Sequence, residues 1–228
     1  MKILEIGNYI IPAYAGMILA EQGHEVIKWT NGNDPTLSLN DGDKLWSWLN
    51  QGKNIVNKNF SEIPSALDEF DAVIDNVKES SLRRLGIDPA ALAAKHQVRW
   101  ISMRSESEDE ISFDIIAQAR SWMQYADWIP FYVGDTTGGL WLAFKLLASN
   151  KPEHAVIYQA SAMQKLVEGE LIHTPDRNRN QIPWDNEPYE FKDGKAIVQY
   201  KNKTYEESIK NTEWKLKHLK HINGRITI

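Results

Sequence analysis

The segment VGDTTGGLWLAFKLL (Val133–Leu147) places one carboxylate, Asp135, directly before an amphipathic apolar run. An Asp in this position is a preferred helix N-cap, because its side-chain oxygen accepts hydrogen bonds from backbone N–H groups of the first helical turn. A carboxylate at the start of a helix is also suited to act as a nucleophile. On this segment alone the structural N-cap is the more common role, and both interpretations stay open.

A second stretch, DNVKESSLRRLGIDPAAL (Asp75–Leu92), combines an amide with two cations. Asn76 follows a buried apolar run, so it lies at the carboxyl edge of the predicted sheet, where open α/β proteins bind ligands. Arg83 and Arg84 come within two helical turns. Either Asn76 caps the next helix and both arginines are solvated, or one guanidinium grips a phosphate in an anion site.

Common nucleotide and hydrolase motifs are absent from the sequence. Gly7 and Gly16 lie nine residues apart around the first strand–helix turn, so the G-x-G-x-x-G spacing of a dinucleotide site is missing. There is no G-x-x-x-x-G-K-[ST] phosphate loop and no G-x-S-x-G nucleophile elbow. We therefore expect no NAD or FAD site of the usual kind, although the helix N-terminus near Ala13 can receive an anion.

The composition excludes further classes of function. The formal net charge is −5, so no overall basic field attracts nucleic acid or an anionic membrane surface. There is no cysteine, which excludes disulfides, thiolate metal sites and a Cys nucleophile. His218 and His221 can share a helix face, but the flanking lysines repel a cation, so we expect no metal site. The N-terminal segment is too interrupted for a signal peptide or membrane span, and we expect a soluble cytoplasmic protein.

The opening of the chain alternates strand, helix and strand. Lys2–Ile6 and Glu25–Trp29 have the pattern of strands around a helix from about Ala13 to Gln22, which is typical of a parallel α/β unit. Further strand candidates, separated by helical stretches, are Asn54–Val56, Ala72–Asp75 and Val98–Ser102. The pattern predicts an α/β fold with a Rossmann-like open, mostly parallel sheet and helices on both faces.

From Asp114 the pattern becomes helical, and it includes a long predicted helix from about Glu153 to Leu171. Residues 173–188 are rich in Pro, Asn and Asp, which indicates a surface linker. Two alternating runs flank Asp193 and Gly194, which predicts a hairpin, and the basic helix EWKLKHLKH nearly ends the chain. The predicted domains are a Rossmann-like domain (1–150), a helical connection and linker (151–188), and a small C-terminal hairpin-and-helix appendage (189–228).

Taken in order, the segments resemble family III of the CoA-transferases, the CaiB/BaiF group that includes formyl-CoA and carnitine CoA-transferases. ILEIGNYIIPAYAGMILAEQGHEVIKW is similar to the opening strand, helix and strand of that family, and LNQGKNIV resembles its N-x-x-K-x-S-(I/V) strand. VIDNVKESSLRRLGID, FDIIAQARSWM and YVGDTTGGL resemble three later motifs, the last holding the family's nucleophilic aspartate. The resemblance spans about Met1 to Tyr200.

The resemblance implies an acyl-CoA site at the carboxyl edge of the sheet, with coenzyme A as a substrate rather than a covalently bound cofactor. Asp135 would be the nucleophile that passes CoA between an acyl-CoA and a small carboxylic acid through an aspartyl intermediate. Asn76 and Arg84 would face the nucleotide end of CoA, and Lys53 and Arg104 would offer cations nearby. The helix dipole would keep Asp135 ionised at neutral pH.

The sequence also departs from the family pattern. Val77 stands where the family has a Phe after the Asn, which removes an adenine-stacking face. Family members are longer, and their later part carries a glycine-rich loop that covers the thioester. The alternative is therefore a non-catalytic, truncated relative that binds CoA weakly or serves as an interaction partner. We expect either a surface-to-surface homodimer that uses exposed tryptophans, or a second chain that supplies the missing lid.

Overall fold

The structure of the protein is a computed structural model that describes residues 1–39, 41–105, 113–120, 132–163, 165, 189–192, 195–200 and 203–208. The chain forms two compact units. The first unit contains residues 1–108 and 135–158, and the second contains residues 109–134 and 159–228. The domain boundaries expected from the sequence stay a prediction.

The first unit is built on a six-stranded sheet in which every pair of neighbouring strands is parallel. The strand order is β3-β2-β1-β4-β5-β6. This confirms the predicted α/β class and the parallel, Rossmann-like sheet. The strands are β1 (Lys2–Ile6), β2 (Glu25–Thr30), β3 (Asn54–Asn57), β4 (Ala72–Asp75), β5 (Arg99–Arg104) and β6 (His154–Tyr158).

Helices connect these strands. They are α1 (Ile10–Glu21), α2 (Gly42–Leu49), α3 (Ile63–Ala66), α4 (Glu79–Arg84), α5 (Pro89–His96), α6 (Asp114–Arg120) in the second unit, and α7 (Val133–Ala148). Local sequence explains where several begin: Asp88 accepts hydrogen bonds from two first-turn amides of α5, and Pro89 occupies its first helical position. The helix α2 was not predicted, and α1 begins three residues earlier than expected.

Two apolar cores cover the two faces of the sheet, because side chains alternate along each strand. Ile3, Ile74 and Ile101 face a core that includes Leu19 of α1 and Leu146 of α7. On the opposite face, strand residues pack against residues of the 63–98 segment. The strand residues include Leu4, Val73 and Trp100, and the segment contributes Ile63, Leu67, Leu82 and Ala93. The sheet is thus sandwiched between α1 and α7 on one side and the shorter helices on the other.

The predicted helix from Glu153 is wrong over its first turns, because residues His154–Tyr158 form β6 at the edge of the sheet. The run AVIYQASAM fits either a strand or a helix by its apolar pattern. The segment forms a strand because it pairs with β5, from Trp100 opposite His154 to Arg104 opposite Tyr158. Residues 159–163 are helical and belong to the second unit.

The described strands of the second unit include an antiparallel sheet of β7 (Tyr189–Lys192), β8 (Lys195–Tyr200) and β9 (Lys203–Ser208). Pairing of β7 with β8 confirms the predicted hairpin around Asp193 and Gly194, whereas β9 was not predicted. The predicted linker from residue 173 to 188 and the final basic helix lie outside the described residues. None of the helices within the described ranges has the length and hydropathy needed to cross a membrane.

Candidate functional site

A buried ion network lies under α1 on the sheet. Glu5 of β1 is directly opposite Lys28 of β2, and the two side chains form an ion pair of 2.8 Å. Lys53 contacts the second carboxylate oxygen of Glu5 at 2.7 Å, and Asp34 lies 3.6 Å from the Lys28 ammonium. The side chains of Glu5, Lys28 and Lys53 are fully buried. Two cations and two carboxylates therefore neutralise each other within the core.

Lys53, one of the predicted CoA-contacting residues, belongs to this network. Its ammonium donates to Glu5 Oε2 at 2.7 Å, to the Ala13 carbonyl at 2.6 Å and to Asn50 Oδ1 at 3.3 Å. These acceptors match the three N–H groups of an ammonium. Lys53 thus ties β1, α1 and the end of α2 together, and the structure does not bring it to the carboxyl edge of the sheet.

The network shifts the pKa values of its members in opposite ways. Burial would raise the pKa of Glu5, but Lys28 and Lys53 together hold that pKa below its ordinary value. Burial lowers the pKa of Lys53 to about 8, although Glu5 acts in the opposite direction. Both groups are charged at neutral pH.

Gly16 of α1 has a structural role that follows from the network. A Cβ at this position would collide with Glu5 Oε2 and would approach Lys53 Nζ to 3.0 Å. Only glycine lets α1 lie this close to the buried carboxylate. Gly16 therefore makes room for the buried Glu5 carboxylate beneath α1.

Asn76 lies where the sequence predicts, at the carboxyl edge between β1 and β4. This is the topological switch point of the sheet, where the crossover direction reverses and open α/β proteins bind ligands. Asn76 Nδ2 donates to the Asn8 carbonyl at 2.8 Å, and Asn76 Oδ1 accepts from the Asn8 N–H at 3.2 Å. Gly7, with φ of +117°, passes directly beneath this amide, where a Cβ would collide with Asn76 Oδ1.

Arg104 ends β5 at the same edge, on the sheet face opposite α1. Its Nη1 donates to Asp75 Oδ1 at 2.6 Å, its Nη2 donates to Ser102 Oγ at 3.0 Å, and its side chain is 12% exposed. Asp75 is fully buried and also accepts from the Trp100 indole N–H at 2.7 Å. The guanidinium is therefore anchored by a carboxylate, with a small part of its surface at the edge.

Arg84, the fourth predicted binding residue, lies in the last turn of α4 and is exposed. Its Nη2 donates to Ser81 Oγ at 3.0 Å on the same helix. Since α4 begins at the carboxyl end of β4 and runs away from it, Arg84 lies several residues further from the edge than Asn76.

The prediction that Asp135 is the N-cap of its helix is wrong. The helix α7 begins at Val133, so Asp135 is the third helical residue, and it is 8% exposed. The first-turn N–H of Gly134 instead donates to Asp114 Oδ1 at 2.5 Å. Asp114 lies 20 residues earlier in the sequence and performs the capping role that the local sequence assigned to Asp135.

The direction of α7 places Asp135 at the carboxyl edge. Ser149, just after α7, accepts a hydrogen bond of 3.0 Å from Arg99, the first residue of β5. At the other end, Gly138 packs against Met103, near the carboxyl end of β5. Asp135 lies one turn before Gly138 and therefore reaches the same edge of the sheet as Asn76 and Arg104.

The helices α1 and α7 cross closely near this edge. A Cβ on Gly139 would lie 2.9 Å from the Ile11 carbonyl and 3.0 Å from the Tyr14 ring. A Cβ on Gly138 would lie 3.7 Å from the Ile11 side chain. Since residues three and four apart share a helix face, Asp135 lies on the face of α7 that packs on the start of α1.

A cavity that was not predicted from the sequence lies at the carboxyl ends of β2 and β3. Its volume is about 400 Å³, and its lining combines amides, one cation and apolar side chains: Asn31, Asn57, Lys58, Asn59, Phe60 and Leu85. Asn31 Oδ1 and Asn59 Oδ1 accept hydrogen bonds from backbone N–H groups of their own turns. The sequence signal was asparagines at the ends of two strands, with Asn31 directly after β2 and Asn57 the last residue of β3.

The predicted residues are thus partly brought together. Asn76, Arg104 and Asp135 lie at one edge of the first unit, with Arg104 on the opposite face of the sheet from Asp135. Arg84 lies further along α4, and Lys53 is inside the core. Within the described part of the chain, no group of three or more His, Asp or Glu side chains is placed to hold a metal ion.

Comparison with known proteins identifies one matching sequence family and solved structures with a similar fold. The sequence model of CoA-transferase family III matches residues 1–207. A hypothetical protein from Mycobacterium tuberculosis (Rv3272) is 17% identical, with a TM-score of 0.67, covering 87% of this chain and 63% of its own. A CaiB/BaiF family protein from Brucella suis has the same identity and TM-score, covering 78% of this chain and 57% of its own.

These structures share the fold, and this chain spans less than two thirds of their length. No protein of curated function matches the sequence.

The buried network gives a first prediction. Replacing Glu5 by Gln leaves two buried ammonium groups with Asp34 as their remaining carboxylate, so we expect the free energy of unfolding to fall by about 3–5 kcal/mol. Urea denaturation at pH 7 measures the change. Glu21→Gln, at an exposed position at the end of α1, is the matched control and should change stability by less than about 0.5 kcal/mol. Equal stabilities of the two variants would contradict the network's role.

A second prediction concerns pH. The pKa of Lys53 is about 8 in the folded protein and 10.5 in the unfolded chain, so between these values the unfolded state binds more protons. The Lys53 contribution to stability therefore increases as the pH rises from about 8 to 10.5. The parent should gain stability relative to Lys53→Met over this window, as measured by urea denaturation at pH 7, 8, 9 and 10. A constant difference between the two proteins would show that Lys53 keeps an ordinary pKa.

Proposed function

This chain belongs to CoA-transferase family III, and we propose that it transfers CoA between an acyl-CoA and a small carboxylic acid, with Asp135 as the nucleophile. The observation that carries the proposal is the position of Asp135: nearly buried, in the first turn of a long helix, at the carboxyl edge of a parallel sheet. The start of α7 at Val133 is consistent with it, because Asp135 is then the third residue of the helix and Asp114 accepts the hydrogen bond from the first-turn N–H of Gly134.

The helix supports the ionised state that a nucleophile needs. The N-terminus of α7 carries partial positive charge, which favours a carboxylate in the first turn. The neighbouring start of α1 adds a second helix N-terminus at the same edge, because α1 and α7 cross at Gly139 and Ile11. An ionised carboxylate can attack a thioester at neutral pH without a separate base.

The proposed reaction has four steps, and none of them requires a proton to be transferred. An Asp135 oxygen bonds to the thioester carbonyl carbon while the C–S bond breaks, which gives an acyl-aspartyl anhydride and a CoA thiolate. The thiolate attacks the aspartyl carbonyl carbon, releasing the donor acid as a carboxylate and leaving an aspartyl-CoA thioester. An oxygen of the acceptor carboxylate then bonds to the aspartyl carbonyl carbon while its C–S bond breaks, which gives an acceptor–aspartyl anhydride and releases the thiolate. Finally, the thiolate attacks the acceptor's acyl carbon, which forms the new acyl-CoA and restores the Asp135 carboxylate.

We place the nucleotide end of CoA in the cavity at the ends of β2 and β3. The amide nitrogens of Asn31, Asn57 and Asn59 can donate to a base or ribose, and Phe60 offers the apolar face that Val77 does not supply. Arg84 immediately precedes the lining residue Leu85, so a phosphate leaving the cavity comes within reach of a long guanidinium.

Between the cavity and Asp135, the crevice at the switch point is the proposed path of the pantetheine arm. Asn76 lies in that crevice, and Arg104 contributes a guanidinium already oriented by Asp75. Homodimerisation, a second chain that covers the thioester, and a cytoplasmic location stay predictions from the sequence.

The nucleophile gives a third prediction. After incubation with butyryl-CoA, hydroxylamine should trap an adduct on Asp135, and Asp135→Asn should abolish it because an amide is not a nucleophile. Peptide mass spectrometry locates the adduct. Asp43→Asn, which changes another first-turn aspartate in α2, is the matched control and should keep it.

Two results separate the alternatives. An adduct on a residue other than Asp135 would contradict the assignment of the nucleophile. Binding of butyryl-CoA without adduct, hydrolysis or transfer, tested also with branched and dicarboxylic acyl-CoAs, would favour the non-catalytic relative that binds CoA.

A fourth prediction tests the nucleotide end. If Arg84 pairs with a phosphate of CoA, Arg84→Ala should weaken CoA binding by about 1.5–3 kcal/mol, measured by titration calorimetry. Arg83→Ala is the matched control, because the neighbouring arginine points about 100° away around the same helix. Equal CoA affinity of Arg84→Ala and the parent would remove Arg84 from the site.

A further inference from the structure

The turn between β1 and α1 contains a strained residue. Tyr9 has φ of 64° and ψ of −154°, a combination that is essentially confined to glycine because of the Cβ atom. Strained residues of this kind persist only when the surrounding structure holds them, and they cluster at functional sites.

Two clamps hold Tyr9 in this conformation. On one side, the Tyr9 N–H donates to Asp34 Oδ1 at 3.2 Å, and Asp34 is 4% exposed and lies 3.6 Å from the Lys28 ammonium. On the other side, both backbone groups of Asn8 are bonded by the amide of Asn76. The clamps fix the backbone of the turn for any residue at position 9, so glycine would satisfy them at lower conformational cost.

The position of Tyr9 suggests a role for its side chain that glycine could not perform. Tyr9 directly precedes α1 at the switch point, and Ile11, two residues on, contacts Gly138 and Gly139 of α7. Asp135 lies one turn before that contact. The half-buried Tyr9 ring therefore belongs to the same edge of the sheet as Asp135.

We propose that Tyr9 is a positioning residue for the acyl-thioester end of an acyl-CoA, its ring forming a wall of the site beside Asp135. This inference rests on the proposed function, since it assumes that an acyl-CoA binds at this edge. The ring supplies a flat apolar surface with a polar tip, which suits a pantetheine arm and its thioester.

Two variants separate the backbone strain at position 9 from the role of the ring. Tyr9→Ala removes the ring and keeps the Cβ strain, whereas Tyr9→Gly removes both. We expect Tyr9→Gly to melt several degrees above Tyr9→Ala, and both variants to bind butyryl-CoA about tenfold or more weakly than the parent. Both should bind adenosine 3′,5′-bisphosphate, which lacks the pantetheine arm, as the parent does.

Gln97 offers a matched control. It also has a positive φ, of 55°, but it ends α5 just before β5, at the opposite edge of the sheet. Gln97→Gly should raise the melting temperature relative to Gln97→Ala and leave both affinities unchanged. All affinities are measured by calorimetry in the Asp135→Asn background, so that butyryl-CoA is not consumed.

The possible outcomes separate this inference from the proposed function. If Tyr9→Gly and Tyr9→Ala bind butyryl-CoA as tightly as their parent, the ring does not position the acyl end and the inference is overturned. It is also overturned if the affinities for butyryl-CoA and for the bisphosphate fall by the same factor. If the parent binds neither probe, the proposed function is overturned and this inference falls with it. Selective loss of butyryl-CoA binding supports both.

Discussion

The first unit depends on one buried carboxylate. Glu5 lies in β1, one of the two central strands of the sheet, and forms ion pairs with two buried lysines, Lys28 at 2.8 Å and Lys53 at 2.7 Å. Isolated charges in a protein core are very costly, so each of these groups is tolerable only because the others are present. The same carboxylate lies so close to α1 that no residue larger than glycine fits at position 16. One interaction thus sets the approach of α1 to the sheet.

The network also reaches the edge at which we place the substrate. Asp34 joins the Lys28 ammonium to the Tyr9 N–H, so the turn that starts α1 is tied to the charges beneath it. The start of α1 in turn packs against Gly138 and Gly139, one turn from Asp135. A rigid support of this kind is what a nucleophile requires, because small displacements of reacting groups reduce rates strongly.

Much of the fold could be predicted from the sequence, because apolar runs such as Ala72–Asp75 are bounded by turns. A strand of this kind is recognised from its own few residues. The edge strand His154–Tyr158 could not be predicted, because its pattern also fits a helix and only pairing with β5 decides. The N-cap of α7 was misassigned because the capping carboxylate, Asp114, comes from 20 residues away. The buried network had a readable signal: Glu5 and Lys28 stand at inward positions of adjacent strands, shared with Ile3 and Val26.

Backbone amide NMR during a CoA titration determines whether CoA binds at the carboxyl edge of the first unit. We expect chemical-shift changes in the segments that follow β1, β2, β3 and β4, and in the first turn of α7. The amides at the amino edge, around Gly23 and Gln97, should not move. Shifts confined to the amino edge or to the β7–β9 sheet, with none around Asn76 and Asp135, would contradict binding at the carboxyl edge.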